Sequence, residues 1–238
     1  MADQGALRFA ALPSGTLPAV LTGAVLAAAL PAALQETVDA RAVATAIAAY
    51  LLVAVLMLRG LNRHYPHAIL GACNIVTLLR AVAVAALTGM LWQGTGSWSG
   101  LALAMVALVL DGVDGWLARR HGLTSAFGAR FDMETDAAMA LVLALHVWLA
   151  GIAGPAILLL GAMRYAFVAA FAVAPWLAAP LPDRFGRKAA CVVQIAALIA
   201  LLIPGLPAGV AAGIAWPATA ALAWSFGRDI LWLWRNRI

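Results

Sequence analysis

The sequence predicts an all-α integral membrane protein of eight transmembrane helices joined by short connections. Three observations carry that prediction. Hydrophobic residues make up 65% of the 238 and charged residues only 11%, with a mean hydropathy of +0.97, far outside the composition of soluble domains. Apolar runs of about 20 residues, enough to cross the hydrocarbon layer of a bilayer, recur along the whole chain. Arg and Lys gather at alternate ends of these runs, the pattern expected of cytoplasmic loops.

The first two spans, 14–34 and 41–59, are separated by Glu36, Asp39 and Arg41. An Arg59/Arg63 loop leads into the third, 68–93, and breakers from Gly94 to Gly100 bring in the fourth, 98–120. Arg119 and Arg120 close that span and the fifth covers 125–150. Gly151 to Pro155, Pro180 to Gly186 and Pro204 to Pro207 punctuate the chain around the remaining spans, 153–177, 187–204 and 207–232. Arg8, Arg59/Arg63, Arg119/Arg120, Arg184/Arg187/Lys188 and Arg228/Arg235/Arg237 alternate with nearly uncharged loops, so eight spans with both termini inside satisfy every loop. Arg41 is the sole basic residue on the other side. Arg8 ahead of an apolar run rich in small residues also fits a signal peptide, whose removal would leave the later topology unchanged.

Several function classes drop out. Cys73 and Cys191 sit in apolar runs without metal-type spacing, which gives neither a zinc site nor a disulfide framework. The net charge of +5 is scattered at span ends with no basic domain or aromatic platform, so nucleic acid is not an expected partner. His64, His67 and His121 fall in loops or at span ends, and His146, deep in an apolar run, reads as a packing residue. Trp92, Trp98, Trp148, Trp176, Trp232 and Trp234 form the expected interfacial belts.

The informative stretch is DGVDGWLARRHGLTSAFGARFDMETD, 111–136, which holds five of the ten acidic residues. Asp111 and Asp114 share one helix face at the inner end of the fourth span; Asp132 and Asp136 share another at the inner start of the fifth. Carboxylates at that depth cost about 2.5–3.5 kcal/mol apiece on insertion scales, so four together call for compensation or function. A hard divalent cation supplies both, and oxygen-only ligands point to Mg²⁺ or Mn²⁺ rather than zinc. Gly115 and Ala118 continue the Asp111 face as a shallow groove, and Arg119 at its edge suits a diphosphate. Glu134 lies off that face, four residues after Arg130, and is expected to pair with it, with Arg164 as the alternative partner of Glu134 or of an aspartate.

The window reads D-x2-D-G-x2-A-R-x8-G-x3-D-x3-D, with Asp111, Asp114, Gly115, Ala118, Arg119, Gly128, Asp132 and Asp136 at the fixed positions. It resembles the signature of the CDP-alcohol phosphatidyltransferase family at all eight positions, a coincidence on the order of 10⁻¹⁰ per starting position under uniform residue usage. Upstream, Asn74, Thr77 and Arg80 resemble the N-x2-T-x2-R that opens the first core helix of many members. The resemblance implies a six-helix catalytic core, here 63–238, with two additional N-terminal transmembrane helices in 1–62. It implies that the four aspartates bind one or two divalent cations and that Asp136 acts as general base. Gly115, Ala118 and Arg119, with Asn74, Thr77 and Gly128, would bind the cytidine nucleotide.

The implied reaction moves a phosphatidyl group from CDP-diacylglycerol to a small alcohol and releases CMP, for phospholipid biosynthesis in the bilayer. The site would face the cytoplasm from the bacterial inner (plasma) membrane, and a homodimer is implied as well. Arg80, Arg130, Arg164, Arg184, Arg187 and Lys188 are candidates for an anion pocket, which would suit glycerol 3-phosphate or another phosphorylated acceptor. Serine, inositol phosphate, choline or another CDP-alcohol donor stay open, because the residues after Asp132 depart from the Asp-Pro or Asp-Ser of the glycerol-phosphate and serine branches. From a different class, a membrane cation transporter would also place acids inside the bilayer, but the span beyond Asp136 continues as AAMALVLAL with no polar path.

Overall fold

A computed structural model of the chain describes residues 12–35, 37–93, 97–179, 181 and 185–236. Among them are eight α-helices and no strand. The helices are α1 Thr16–Ala33, α2 Ala40–His64, α3 Gly71–Met90, α4 Trp98–Arg120, α5 Ala126–Leu149, α6 Ile157–Ala170, α7 Phe185–Leu201 and α8 Ala208–Arg235. Their starts follow local chemistry. Asp39, Ser97 and Ser125 each cap the next helix, accepting from the backbone N–H of Arg41, Gly100 and Gly128. Gly122, with φ 64°, takes the left-handed conformation that reverses α4 into α5.

All eight expected spans are present as helices, five of them long and apolar enough to cross a membrane: α1, α2, α3, α4 and α8. Three differences have physical causes. The expected Arg59/Arg63 loop is the last two turns of α2, because Leu61 is buried while Arg59 and Arg63 lie on the exposed face of a continuing helix. The sixth span is a helix of 14 residues, about 21 Å long. It is extended by i→i+3 turns at both ends, and Pro175 opens a short 3-10 segment, Pro175–Ala178, in place of further α-helix. The third span ends at Met90 and tightens into a 3-10 turn over Leu91–Gln93.

Helix α3 is the hub, buried along almost its whole length. One apolar cluster joins α3, α4 and α5 to α6, α7 and α8 through Leu87, Ala107, Leu143, Leu160, Leu198 and Leu222. A second joins α1 and α2 to α3 and α5 through Ala27, Tyr50, Met57, Leu78, Phe127 and Phe131. The N-terminal pair is thus packed onto the core, and Tyr50 donates its hydroxyl to the Val20 carbonyl of α1 at 2.7 Å.

Gly161 permits the contact of α6 with α5. A Cβ there would lie 2.7 Å from Ala144 Cβ and 2.8 Å from the Ala140 carbonyl oxygen. Gly161→Val should therefore push α6 off α5 and cost about 1–3 kcal/mol or more, because backbone cannot yield as a side-chain tip can. Thermal unfolding of the detergent-purified protein should show a lowered Tm; an unchanged Tm would contradict this packing.

Candidate active site

Three helices meet at one end of the bundle. Helix α3 contributes its first three turns, α4 its last three and α5 its first three, so Asn74, Thr77 and Arg80 face Asp111 and Asp114 on α4 and Asp132 and Asp136 on α5. The 3.6-residue period puts each aspartate pair on one face, and the tight turn through Gly122 brings the two faces together.

Arg80 lies at the centre, its side chain 1% exposed. Nη1 contacts Asp114 at 2.7 Å and Asp132 at 2.5 Å, and Nη2 contacts Asp111 at 2.6 Å and also Asp136. Each terminal nitrogen therefore serves two carboxylates, matching the two N–H bonds it carries. The expectation of a phosphate contact at Arg80 meets a guanidinium already surrounded by acids.

Asp114 is the most enclosed of the four at 4% exposure. Its Oδ2 lies 2.9 Å from the Thr77 hydroxyl as well as beside Arg80, and its Oδ1 accepts from the Gly115 backbone N–H at 2.6 Å. Asp111, Asp114 and Asp132 each offer an oxygen within 4.8 Å of the others. Asp136 lies outside that trio, in contact with Arg80 and beside Asp111. A divalent cation fits this donor set: the ligands are hard oxygens, and the space between them already accommodates positive charge.

A cavity of about 200 Å³ opens beside the aspartates. It is smaller than the ~300–1,000 Å³ that encloses a whole drug-sized ligand, so it suits one part of a larger molecule. Asn74, Thr77, Gly115, Ala118, Arg119 and Gly128, the six residues expected around a nucleotide, all line it together with Asp114 and Asp132. Gly115 leaves room for the Arg119 guanidinium, since a Cβ would sit 3.3 Å from Nη1. Gly128 lets the first turn of α5 approach Asn74, whose Oδ1 would lie 3.3 Å from an added Cβ.

Sequence reasoning missed Cys73, Leu123, Thr124, Ser125 and Ala129, which complete the lining. Only Ser125 carried a signal, as the cap three residues before Gly128. Tyr65 was also missed. Its hydroxyl accepts from Asn74 Nδ2 at 3.0 Å and lies 2.8 Å from the Leu70 carbonyl it can donate to, and burial pushes the phenol above its ordinary pKa. Asn74 Nδ2 also reaches the Leu70 carbonyl at 2.6 Å, leaving its Oδ1 turned toward α5.

Among the described anion-pocket candidates, Arg80 sits within the aspartates, Arg130 is exposed, and Arg164 on α6 donates to Glu134 at 2.6 Å. The expected Arg130–Glu134 pair is thereby corrected: Glu134 faces α6, and an arginine four residues before a glutamate is the weaker orientation on a helix. Arg164 keeps a buried Nε without a partner. Arg184 and the side chains of Arg187 and Lys188 lie outside the described residues.

A family model described as CDP-alcohol phosphatidyltransferase matches residues 70–225. No curated protein and no solved structure matches the chain.

Proposed function

The chain belongs to the CDP-alcohol phosphatidyltransferase family, and from that premise we propose that it transfers a phosphatidyl group from CDP-diacylglycerol to a phosphorylated alcohol such as glycerol 3-phosphate. The observation that carries this reading is the cavity lined by Asn74, Thr77, Gly115, Ala118, Arg119 and Gly128, which opens directly beside the four aspartates. The nucleoside of the donor occupies that cavity, and Arg119 at its rim grips the diphosphate. A divalent cation, Mg²⁺ or Mn²⁺, held by Asp111, Asp114 and Asp132 with Asp136 at the margin, would supply Lewis-acid neutralisation of the diphosphate charge.

Asp136 takes the proton from the acceptor hydroxyl. The freed oxygen attacks the phosphorus that bears the diacylglycerol. The bond from that phosphorus to the bridging oxygen breaks, and its electron pair leaves with CMP. The catalytic core is 63–238, with the spans in 1–62 as an addition to it. The basic residues Arg119 and Arg120 at the same end as the aspartates favour a cytoplasmic site in the inner (plasma) membrane. A transport reading meets an apolar layer instead of a path: beyond Asp136, α5 buries Ala137, Met139, Ala140, Leu143 and Ala144.

Arg164, a partly exposed guanidinium on α6 paired with Glu134, is the described cation assigned to the acceptor's phosphate. Serine is the second reading, favoured by the Arg164–Glu134 pair, whose two charges complement a zwitterion's carboxylate and ammonium. The test is CMP release from CDP-diacylglycerol with Mg²⁺ or Mn²⁺ and separate acceptors. Release with glycerol 3-phosphate alone supports the first reading, and release with serine alone the second. A protein that binds neither nucleotide nor metal would overturn both.

Tyr65 lies before the family match yet fixes Asn74 at the cavity wall. Tyr65→Phe removes the hydrogen bond that holds Asn74, worth about 0.5–1.5 kcal/mol, together with the hydroxyl's donation to the Leu70 carbonyl. KM for CDP-diacylglycerol should rise about 2- to 10-fold with kcat nearly kept, the pattern of lost ground-state binding. Initial rates across donor concentrations check this; an unchanged KM would remove Tyr65 from the site.

A further inference from the structure

We infer that Arg80 is a built-in cation of the aspartate cluster, which assembles the four carboxylates in the metal-free protein and competes with the divalent cation for their oxygens. The inference rests on the reading of Asp111, Asp114 and Asp132 as metal ligands. Its grounds are geometric. The guanidinium contacts all four aspartates, two at each terminal nitrogen, from a side chain that is 1% exposed. Nε is buried without a hydrogen-bond partner, so the side chain is satisfied only through the acids.

Without Arg80, four carboxylates from two helices would face one another with Thr77 as their neutral neighbour on α3. Like charges at such range repel strongly in a medium less polarisable than water. The guanidinium offsets one of the four charges and ties α4 and α5 to the hub helix. A lysine would not serve equally, since its three donors radiate from one point whereas the arginine fork spans two pairs.

Competition follows from Asp114. Both its oxygens are engaged, Oδ1 by the Gly115 N–H and Oδ2 by Thr77 and Arg80. A cation bound at Oδ2 must displace Arg80 or share that oxygen with it, and a cation bound at Oδ1 still lies on a carboxylate whose other oxygen holds the guanidinium charge. Arg80 thereby weakens metal binding while keeping the ligands assembled. A purely structural arginine would have the opposite effect, since its loss would scatter the ligands and weaken binding.

The test is Mn²⁺ binding to the full chain in detergent, by calorimetry or by the spin resonance of free Mn²⁺, for wild type, Arg80→Gln and Arg80→Lys. Arg80→Gln should bind Mn²⁺ about tenfold or more tighter than wild type. In EDTA it should unfold at a lower temperature than wild type, and Mn²⁺ should raise its Tm by more. Equal or weaker binding by Arg80→Gln would overturn the inference. Should that variant fail to fold, Arg80→Lys decides: it keeps the charge but loses part of the fork, so tighter binding than wild type supports competition and equal or weaker binding refutes it. Mn²⁺ binding to wild type with no tightening in either variant refutes the inference alone, whereas absence of binding in all three proteins overturns the metal reading beneath it.

Discussion

Asp136→Asn is expected to lower CMP release by about 10²–10⁴-fold, the range for loss of a general base, while the protein stays folded and keeps its divalent cation. Asp136 lies outside the convergent trio, although it touches Arg80 and Asp111. Asp111, Asp114 and Asp132 form the trio whose oxygens converge, and Asp136 stands one turn further along α5. Its side chain is 39% exposed, so an acceptor hydroxyl can reach it. Asparagine has the same shape and still offers Arg80 a carbonyl oxygen, but it cannot take a proton. The loss should therefore appear in kcat more than in KM for the donor. Comparing CMP release and Mn²⁺ binding in the same preparations checks this. Unchanged release would remove Asp136 from the proton-transfer step, and loss of the metal together with activity would make it a ligand first.

The sequence made the helices legible because bilayer spans need long apolar runs, and the carboxylate pairs legible because a 3.6-residue period places i and i+3 or i+4 on one face. Of the six cavity residues, Gly115 and Ala118 followed from the Asp111 face, and the nucleotide role of all six was implied by the resemblance to the family signature. What it concealed was contact between helices. Nothing in the spacing of Asn74, Thr77 and Arg80 shows that α3 runs between α4 and α5, so Arg80 could be grouped with the other cations although it sits among the acids. Glu134 was paired first within its own helix because local pairs are visible in sequence, and its partner is the alternative, Arg164, 30 residues away. Tyr65 had no signal, since its partner Asn74 lies across an extended linker. The Arg59/Arg63 turn read as a loop because charge ends an apolar run, yet charge on one face does not end a helix.

Asp114→Asn should be the most damaging single change at the aspartates, lowering both activity and stability. Asp114 is the buried member of the group, and its carboxylate receives the Thr77 hydroxyl, the Arg80 guanidinium and the Gly115 N–H. An amide in its place must turn its NH₂ toward one of these donors, leaving a buried group facing another donor. Breaking a buried ion pair from one side typically costs about 3–5 kcal/mol. Here three carboxylates still hold Arg80, which places the expected stability loss at or below the lower end of that range. Catalysis has no such reserve, because the trio becomes a pair and several kcal/mol of charge stabilisation at the diphosphate goes with it. A loss of about 4 kcal/mol corresponds to roughly 10³-fold in rate. Asp114→Asn should therefore lose CMP release and Mn²⁺ binding together, in contrast to Asp136→Asn, which should lose only the first. A variant that binds Mn²⁺ as wild type does would show that Asp114 serves Arg80 and Thr77 alone, and would move the cation site to the exposed edge formed by Asp111, Asp132 and Asp136.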